Sequence, residues 1–456
     1  MKLLLVAYEF LPSASPQSLR WIYLANALAE AGDEVHVLAP DIPDYHSRGL
    51  PTLHPHIVLH RTFAGPFNGM LRWNQLRRGY RPAESREISL RDEAGAVAVA
   101  TKAVTEELNW KGVLWHAGLN WKGRLFESLQ DIAAKVMFPD IRAEWLPWAR
   151  HRLRRLLREV QPDAVITSHE PATTLSLGRF ARRKGYVWVA DMGDPVCAPY
   201  TPARWRRKAM RLERQVCREA DLITTTTQGM VRLLQQRHAR EAAVDVLTQG
   251  YDAALAPAVE RPDVIGRLEL LYTGSFYRFR LPDELLAAVL LNPGVRLNVA
   301  SANPPEELKK LAALHPQSVR LLGYMSHLAV LALQRQADVL VNIGNELPDQ
   351  VPGKVYEYFG AGKPILHLSA KGFDGAVDML ATSGRALICA NQRHAIQESL
   401  AMLQNAVVIG GLDMGMDKVE QYSWQSLACR LRLSLHAVTA GRTPKPGVSV
   451  EKDIIH

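Results

Sequence analysis

The feature that most constrains this 456-residue chain is the run ADVLVNIGNELPDQVPGKVYEYFGAGKPILHLS, residues 337–369. It opens on Val339-Leu340-Val341-Asn342-Ile343, a β-branched-rich apolar run of the kind buried on both faces of a parallel sheet. A loop follows. Pro352 then suits the first turn of a helix, because its fixed φ is already helical and its missing N–H would go unpaired there anyway. Gly360 and Gly362 can take the left-handed conformation that ends the helix, and Pro364 bars its continuation. Ile365-Leu366-His367-Leu368 reads as the next strand. The predicted unit is strand, loop, helix, strand, and its loop falls at the carboxyl edge of the sheet, where open α/β folds bind ligands.

The loop has chemistry to match. Gly353 and Lys354 lie in the first helical turn, where free N–H groups and the positive end of the helix dipole favour an anion such as phosphate. Gly353, Glu357 and Gly360 share one face, so a carboxylate can reach past the phosphate toward sugar hydroxyls. Asp349 precedes Glu357 by eight residues. The GAGKP run mimics part of a phosphate loop, but Walker A needs Ser or Thr where Pro364 stands, which excludes that class.

From Gly323-Tyr324 to Leu366 the sequence resembles the donor-binding signature of the retaining GT-B glycosyltransferases of the group 1, or family 4, type: Glu, seven residues, Glu, then a Gly-Lys/Thr-Pro strand entry. The resemblance implies an α/β chain with two Rossmann-like domains whose parallel sheets face an interdomain cleft. It implies that Glu357 holds the ribose of a nucleotide sugar and that Asp349, an Asp where the family has Glu, contacts the transferred sugar. It further implies that backbone amides at Val351, Gly353 and Lys354 bind diphosphate and sugar, and that the turn at Tyr324 and Met325 carries the base. Gly274-Ser275, after the predicted strand Leu268–Thr273, matches the family's Gly turn, with Arg280 the first candidate and Arg278 the second for the diphosphate.

The amino-terminal half carries the other wall. Strand Leu3–Ala7, a loop to Gln17, a helix from about Ser18 to Glu30 stopped by Gly32, and strand Glu34–Ala39 make a first βαβ unit. The family's first loop commonly carries a Gly pair; here Ser13 and Ser15 stand in that loop as acceptor-side candidates. The lack of G-x-G-x-x-G after the first strand excludes a nicotinamide or flavin Rossmann enzyme. Two later strands, 164–167 and 187–190, end in His169 and in Asp191-Met192-Gly193-Asp194, which places His169, Asp191 and Asp194 around one crevice. By resemblance this crevice faces the acceptor, with His169 orienting acceptor or transferred sugar.

The reading divides the chain into an acceptor domain (1–252), a hinge (253–267), a donor domain (268–420), a helix crossing back to the first domain (421–440) and a loose tail (441–456). Residues 45–139 show no clear pattern. Trp110, Trp115, Trp121, Trp145 and Trp148 read equally as sugar-stacking, interfacial or core aromatics. From Ile141 to Val160 six arginines interleave with Trp145, Leu146, Trp148, Leu153, Leu156 and Leu157, which fits an interfacial helix on anionic lipid as well as a solvated helix.

A net charge of +9 favours acidic partners without choosing among them. The four cysteines, Cys197, Cys217, Cys389 and Cys429, make no C-x-x-C pair and read as reduced cytoplasmic thiols. The sequence therefore predicts a cytoplasmic hexosyltransferase of polysaccharide or glycoconjugate biosynthesis, also placed at the inner face of the membrane. Its partners are a nucleotide-sugar donor, a glycan or lipid-linked acceptor and an anionic membrane surface, with no nucleic acid. No D-x-D triplet occurs, so no metal and no cofactor is expected. Two alternatives stand beside it: a nucleotide-sugar 2-epimerase of the same fold, and a non-catalytic protein docking on anionic surfaces.

Overall fold

A computed structural model describes residues 1–43, 49–77, 133, 136–238, 243–255, 266–277, 280–345, 350–370, 374–405 and 411–440. Asp349, Arg278, Trp110, Trp115, Trp121 and the tail after residue 440 lie outside them. The described chain forms two parallel sheets. The first contains β1 (Lys2–Val6), β2 (Glu34–Asp41), β3 (Ile57–Phe63), β4 (Ala164–Ser168), β5 (Val187–Met192), β6 (Leu222–Thr225) and β7 (Val244–Val246), in the order β3-β2-β1-β4-β5-β6-β7. The second contains β8 (Leu268–Thr273), β9 (Val295–Ala300), β10 (Val319–Gly323), β11 (Val339–Ile343), β12 (Ile365–Ser369) and β13 (Ala386–Ala390), in the order β10-β9-β8-β11-β12-β13. Two such doubly wound sheets facing one cleft are the GT-B arrangement.

The central strands are mostly apolar because helices cover both faces. In β1, Leu3 and Leu5 pack against helix Pro16–Glu30 and the last helix, Trp424–Ala440, while Leu4 and Val6 pack against Trp145, Leu153 and Leu156 on the other face. In the second sheet Leu270 and Val341 face one core, and Leu271 and Leu340 face Val355, Tyr358 and Phe359 of helix Lys354–Ala361. The last helix buries Trp424, Leu427, Leu431 and Leu435 against the first domain, at about 1.5–3 kcal/mol for each large apolar side chain. Backbone bonds from Tyr251 N to Tyr422 O (3.1 Å) and from Trp424 N to Tyr251 O (2.9 Å) tie its start to the chain leaving β7.

Several local expectations shift. The first helix starts at Pro16, with the Ser15 hydroxyl accepting from Ser18 N at 3.1 Å. The arginine-rich stretch is a short 3₁₀ turn, Ile141–Trp145, followed by helix Leu146–Glu159. Its Trp145, Leu153, Leu156 and Leu157 are buried in the protein core, so those residues are not free to enter a membrane; Trp148 and Arg150, Arg154, Arg155 and Arg158 face outward. Gly362 ends helix Lys354–Ala361 in the left-handed conformation, but Gly360 does not: it is helical, and a Cβ there would stand 2.7 Å from the Tyr251 Cβ. Among the described residues, no helix is long and apolar enough to cross a membrane.

Candidate functional site

Strand order reverses between β1 and β4 in one sheet and between β8 and β11 in the other. The loops leaving these four strands diverge at such switch points and leave a crevice beyond the strand ends. Here the two crevices face each other across a cavity of about 890 Å³. From the first domain it is lined by Glu9, Ser15, Gln17, Arg20, Tyr23, Arg142, His169, Glu170 and Asp194. From the second come Gly274, Ser275, Arg280, Tyr324, Met325, His327, Gln334, Val351, Gly353, Lys354 and Glu357.

The second domain supplies Lys354 and Arg280. Helix Lys354–Ala361 begins at Gly353 with no side-chain cap; Val355 N donates to Pro352 O at 3.0 Å, and no side-chain oxygen closes the amides of Gly353 and Lys354 among the described residues. The Lys354 amine lies over the Tyr272 ring, 3.8 Å from its centroid, and donates to Thr273 O at 3.2 Å. Burial pushes this amine well below the ordinary lysine range, and the positive charge of Arg280 pushes the same way, with Glu357 opposing. Burial also pushes the Tyr272 phenol up, to about 12. The Arg280 guanidinium donates to the Asn345 side-chain oxygen, and its Nε finds no partner among the described residues. Gly274, at φ +116, turns the chain leaving β8 beside Lys354. One helical turn beyond Gly353, Glu357 accepts from Gln334 Nε2 at 3.3 Å.

The first domain is more tightly bound to itself. Ser13 is not among the lining residues; its hydroxyl donates to Glu9 at 2.6 Å. Asp191 does not face the crevice either. It sits inside β5 and pairs with Arg20 at 3.1 Å, both side chains fully buried, while Trp21, Thr224 and Gln17 also donate to it. His169 lines the cleft with its ring buried and Nδ1 without a partner among the described residues, and burial lowers its pKa, opposed first by Asp194. Glu170 follows at φ +92, with burial and then Asp194 raising its pKa.

Among the described residues, two hydrogen-bonding contacts bridge the domains at this cavity: Gln350 Nε2 donates to Asp194 at 2.9 Å, and the Tyr23 hydroxyl lies 3.1 Å from His327 Nε2. Among the residues that sequence reasoning missed are Glu9, Gln17, Arg20, Tyr23, Arg142, Glu170 and Gln334. None belongs to a motif, and each is brought in by a strand end or helix far away in sequence. The Lys354 side chain was missed too, since only its amide entered the reading. An apolar-flanked lysine at a helix start was the available signal.

The model of a glycosyl transferase 4-like domain matches residues 20–250. No curated protein matches the chain in sequence. Among solved structures it is similar to sucrose-phosphate synthase from Thermosynechococcus elongatus at 16% identity and a TM-score of 0.63, covering 97% of this chain and 100% of that one. It is similar to a glycosyltransferase from Rickettsia africae at 10% identity and a TM-score of 0.57, with 97% and 99% covered. A structure from E. coli, described as trehalose-6-phosphate bound with UDP-2-fluoro glucose, matches at 13% identity and a TM-score of 0.57, with 95% and 99% covered.

Proposed function

Because the chain belongs to the glycosyl transferase 4-like family, we propose that it moves a hexosyl group from a nucleoside-diphosphate sugar to a hydroxyl of a glycan or lipid-linked acceptor, with retention at the anomeric carbon. One observation carries the donor assignment: Arg280, the Lys354 amine, the uncapped start of helix Lys354–Ala361 and Glu357 converge on one wall of the interdomain cavity. Breaking the bond to the diphosphate builds negative charge on the leaving group. Preorganised cations and amides aimed at that charge are what lowers such a barrier. An arriving diphosphate reverses the balance at Lys354, since two negative charges favour the ammonium that burial disfavours. The UDP-sugar analogue in the E. coli structure supports the donor class.

Within this reading Glu357 takes the ribose hydroxyls, Tyr324 and Met325 lie by the base, and Val351, Gly353, Gly274 and Ser275 bring backbone close to the diphosphate. Asp349 contacts the transferred sugar. His169, Asp194 and Ser15 face the acceptor, and the leaving phosphate takes the acceptor's proton. Side-chain cations do the work that a divalent ion does in other sugar transferases, so chelators leave turnover unchanged. Any attachment to an anionic membrane falls to the outward arginines of helix Leu146–Glu159.

A mass-spectrometric screen of sugar nucleotides, with and without glycan acceptors, tests the proposal on wild type beside Glu357→Ala. Transfer by wild type, reduced about hundredfold or more in the variant, is expected. Equal turnover in both proteins removes Glu357 from the site. Conversion of a nucleotide sugar to its epimer without acceptor replaces transfer with epimerisation.

A further inference from the structure

Gln334, on helix His327–Gln336, has no place in the donor signature, yet it lines the cavity with its side chain fully buried. Its Nε2 donates in two directions, to Thr273 Oγ1 at 3.2 Å and to Glu357 at 3.3 Å. Thr273 is itself fixed: its hydroxyl lies 3.1 Å from the Tyr358 hydroxyl, which donates to Val341 O at 3.1 Å. The amide group of Gln334 is therefore anchored to the end of β8 and, through Tyr358, to the middle of β11, and in turn holds the Glu357 carboxylate. The other half of the amide is unused. Oε1 is buried and finds no hydrogen-bond partner among the described residues.

A buried amide oxygen left without a donor costs free energy that a hydroxyl from a ligand would recover. A carboxylate and an amide oxygen side by side make two acceptors, which is what a vicinal diol, two donors on adjacent carbons, needs. We infer that Gln334 is a positioning and binding residue of the donor site: it aims Glu357 at the pentose and offers Oε1 to a second pentose hydroxyl, so that the pair selects ribose over deoxyribose in a nucleoside diphosphate. The inference rests on the proposed role of Glu357 and adds a specificity that the donor signature does not carry. The Thr273 and Tyr358 hydroxyls set where the amide sits.

The test is calorimetric binding of UDP, GDP and ADP and of their 2′,3′-dideoxy counterparts to wild type, Gln334→Met and Gln334→Glu, with thermal melting to confirm that each variant is folded. Gln334→Met keeps the length of the side chain and removes both polar atoms. It should weaken the ribonucleotide that wild type binds by about tenfold and leave the dideoxy compound unchanged, collapsing the ratio between them. Gln334→Glu sets a second carboxylate against Glu357 and should weaken the ribonucleotide at least as much.

Equal weakening of both nucleotides would mean that Gln334 only supports the fold of the site, and the inference fails. An unchanged ratio in both variants, with wild-type affinity, overturns it while leaving the nucleotide-sugar reading intact. Absence of binding by any of the three diphosphates to wild type overturns that reading and the inference with it.

Discussion

Two of the helices whose starts border the cavity, one from each domain, are finished in opposite ways. Helix Pro16–Glu30 is closed by the Ser15 hydroxyl, and the nearest cation beneath it, Arg20, is spent internally on Asp191, Leu247 O and Thr248 O. Helix Lys354–Ala361 has no side-chain cap, and neither cation beside it is paired with a carboxylate: Lys354 meets one carbonyl and the Tyr272 ring, and Arg280 one side-chain oxygen and the Tyr277 ring. The same βα geometry thus serves one domain as a structural joint and the other as an anion site. What differs is whether the charge already has its partner.

If that distinction is right, charge removal has opposite consequences on the two sides, and the largest effect belongs to the joint. Arg20→Met leaves Asp191 buried with its ion-pair partner gone, a loss of about 3–5 kcal/mol in folding stability by chemical denaturation. Nucleoside-diphosphate affinity of the folded fraction should be unchanged. A variant as stable as wild type would show that Arg20 is available charge, and the comparison would break.

Lys354→Met should do the reverse: cost no stability while lowering sugar transfer about hundredfold in initial rates. The pH dependence sharpens the point. Because burial lowers the native pKa of Lys354 below its ordinary 10.5, between those two values the unfolded chain holds a proton that the native chain does not. Stability from this group therefore rises with pH across that window, and Lys354→Met should flatten the rise in a series of melting curves. Donor affinity runs the other way, falling as pH passes upward through the native pKa. In Lys354→Arg, which stays charged, that fall should disappear.

A smaller effect tests the joint between the domains. Gly360→Ala pushes a Cβ to 2.7 Å from the Tyr251 Cβ, where the chain leaving β7 meets the donor-side helix. Overpacking there should cost about 1–3 kcal/mol by denaturation. This residue also marks a limit of sequence reading. A glycine near a helix end before a proline signals a left-handed stop, and Gly362 obeys that local rule; the reason for Gly360 is a side chain more than a hundred positions away.

The same division runs through the whole molecule. β11, the start of helix Lys354–Ala361 and β12 were legible because buried parallel strands and helix starts write themselves into consecutive residues. β3, half-exposed at the sheet edge, carries no such run. Helix Pro66–Arg77 has its first amides held by Glu144, a carboxylate from the far side of the unpatterned stretch, so no local capping residue announced it. Of the cavity wall, the residues on the donor loop could be read directly. Arg20 could not, because a charged residue within an apolar helical stripe is assigned to solvent unless its distant partner is known.

The slightest expected change probes the contact by which the two sides meet. Gln350, in the donor loop, donates to Asp194 of the first domain at 2.9 Å, and Asp194 is the carboxylate proposed for the acceptor. An acceptor hydroxyl that uses Asp194 must displace this amide or share the carboxylate with it. Gln350→Ala removes the competitor, while a single partly exposed hydrogen bond contributes only about 0.5–1.5 kcal/mol to the fold. Denaturation should therefore change by about 1 kcal/mol or less, and the acceptor KM should fall by about two- to fivefold with donor KM held. A rise in acceptor KM would instead make the Gln350–Asp194 pair part of the acceptor site itself. The first domain would then share the open, charge-offering character assigned above to the second alone.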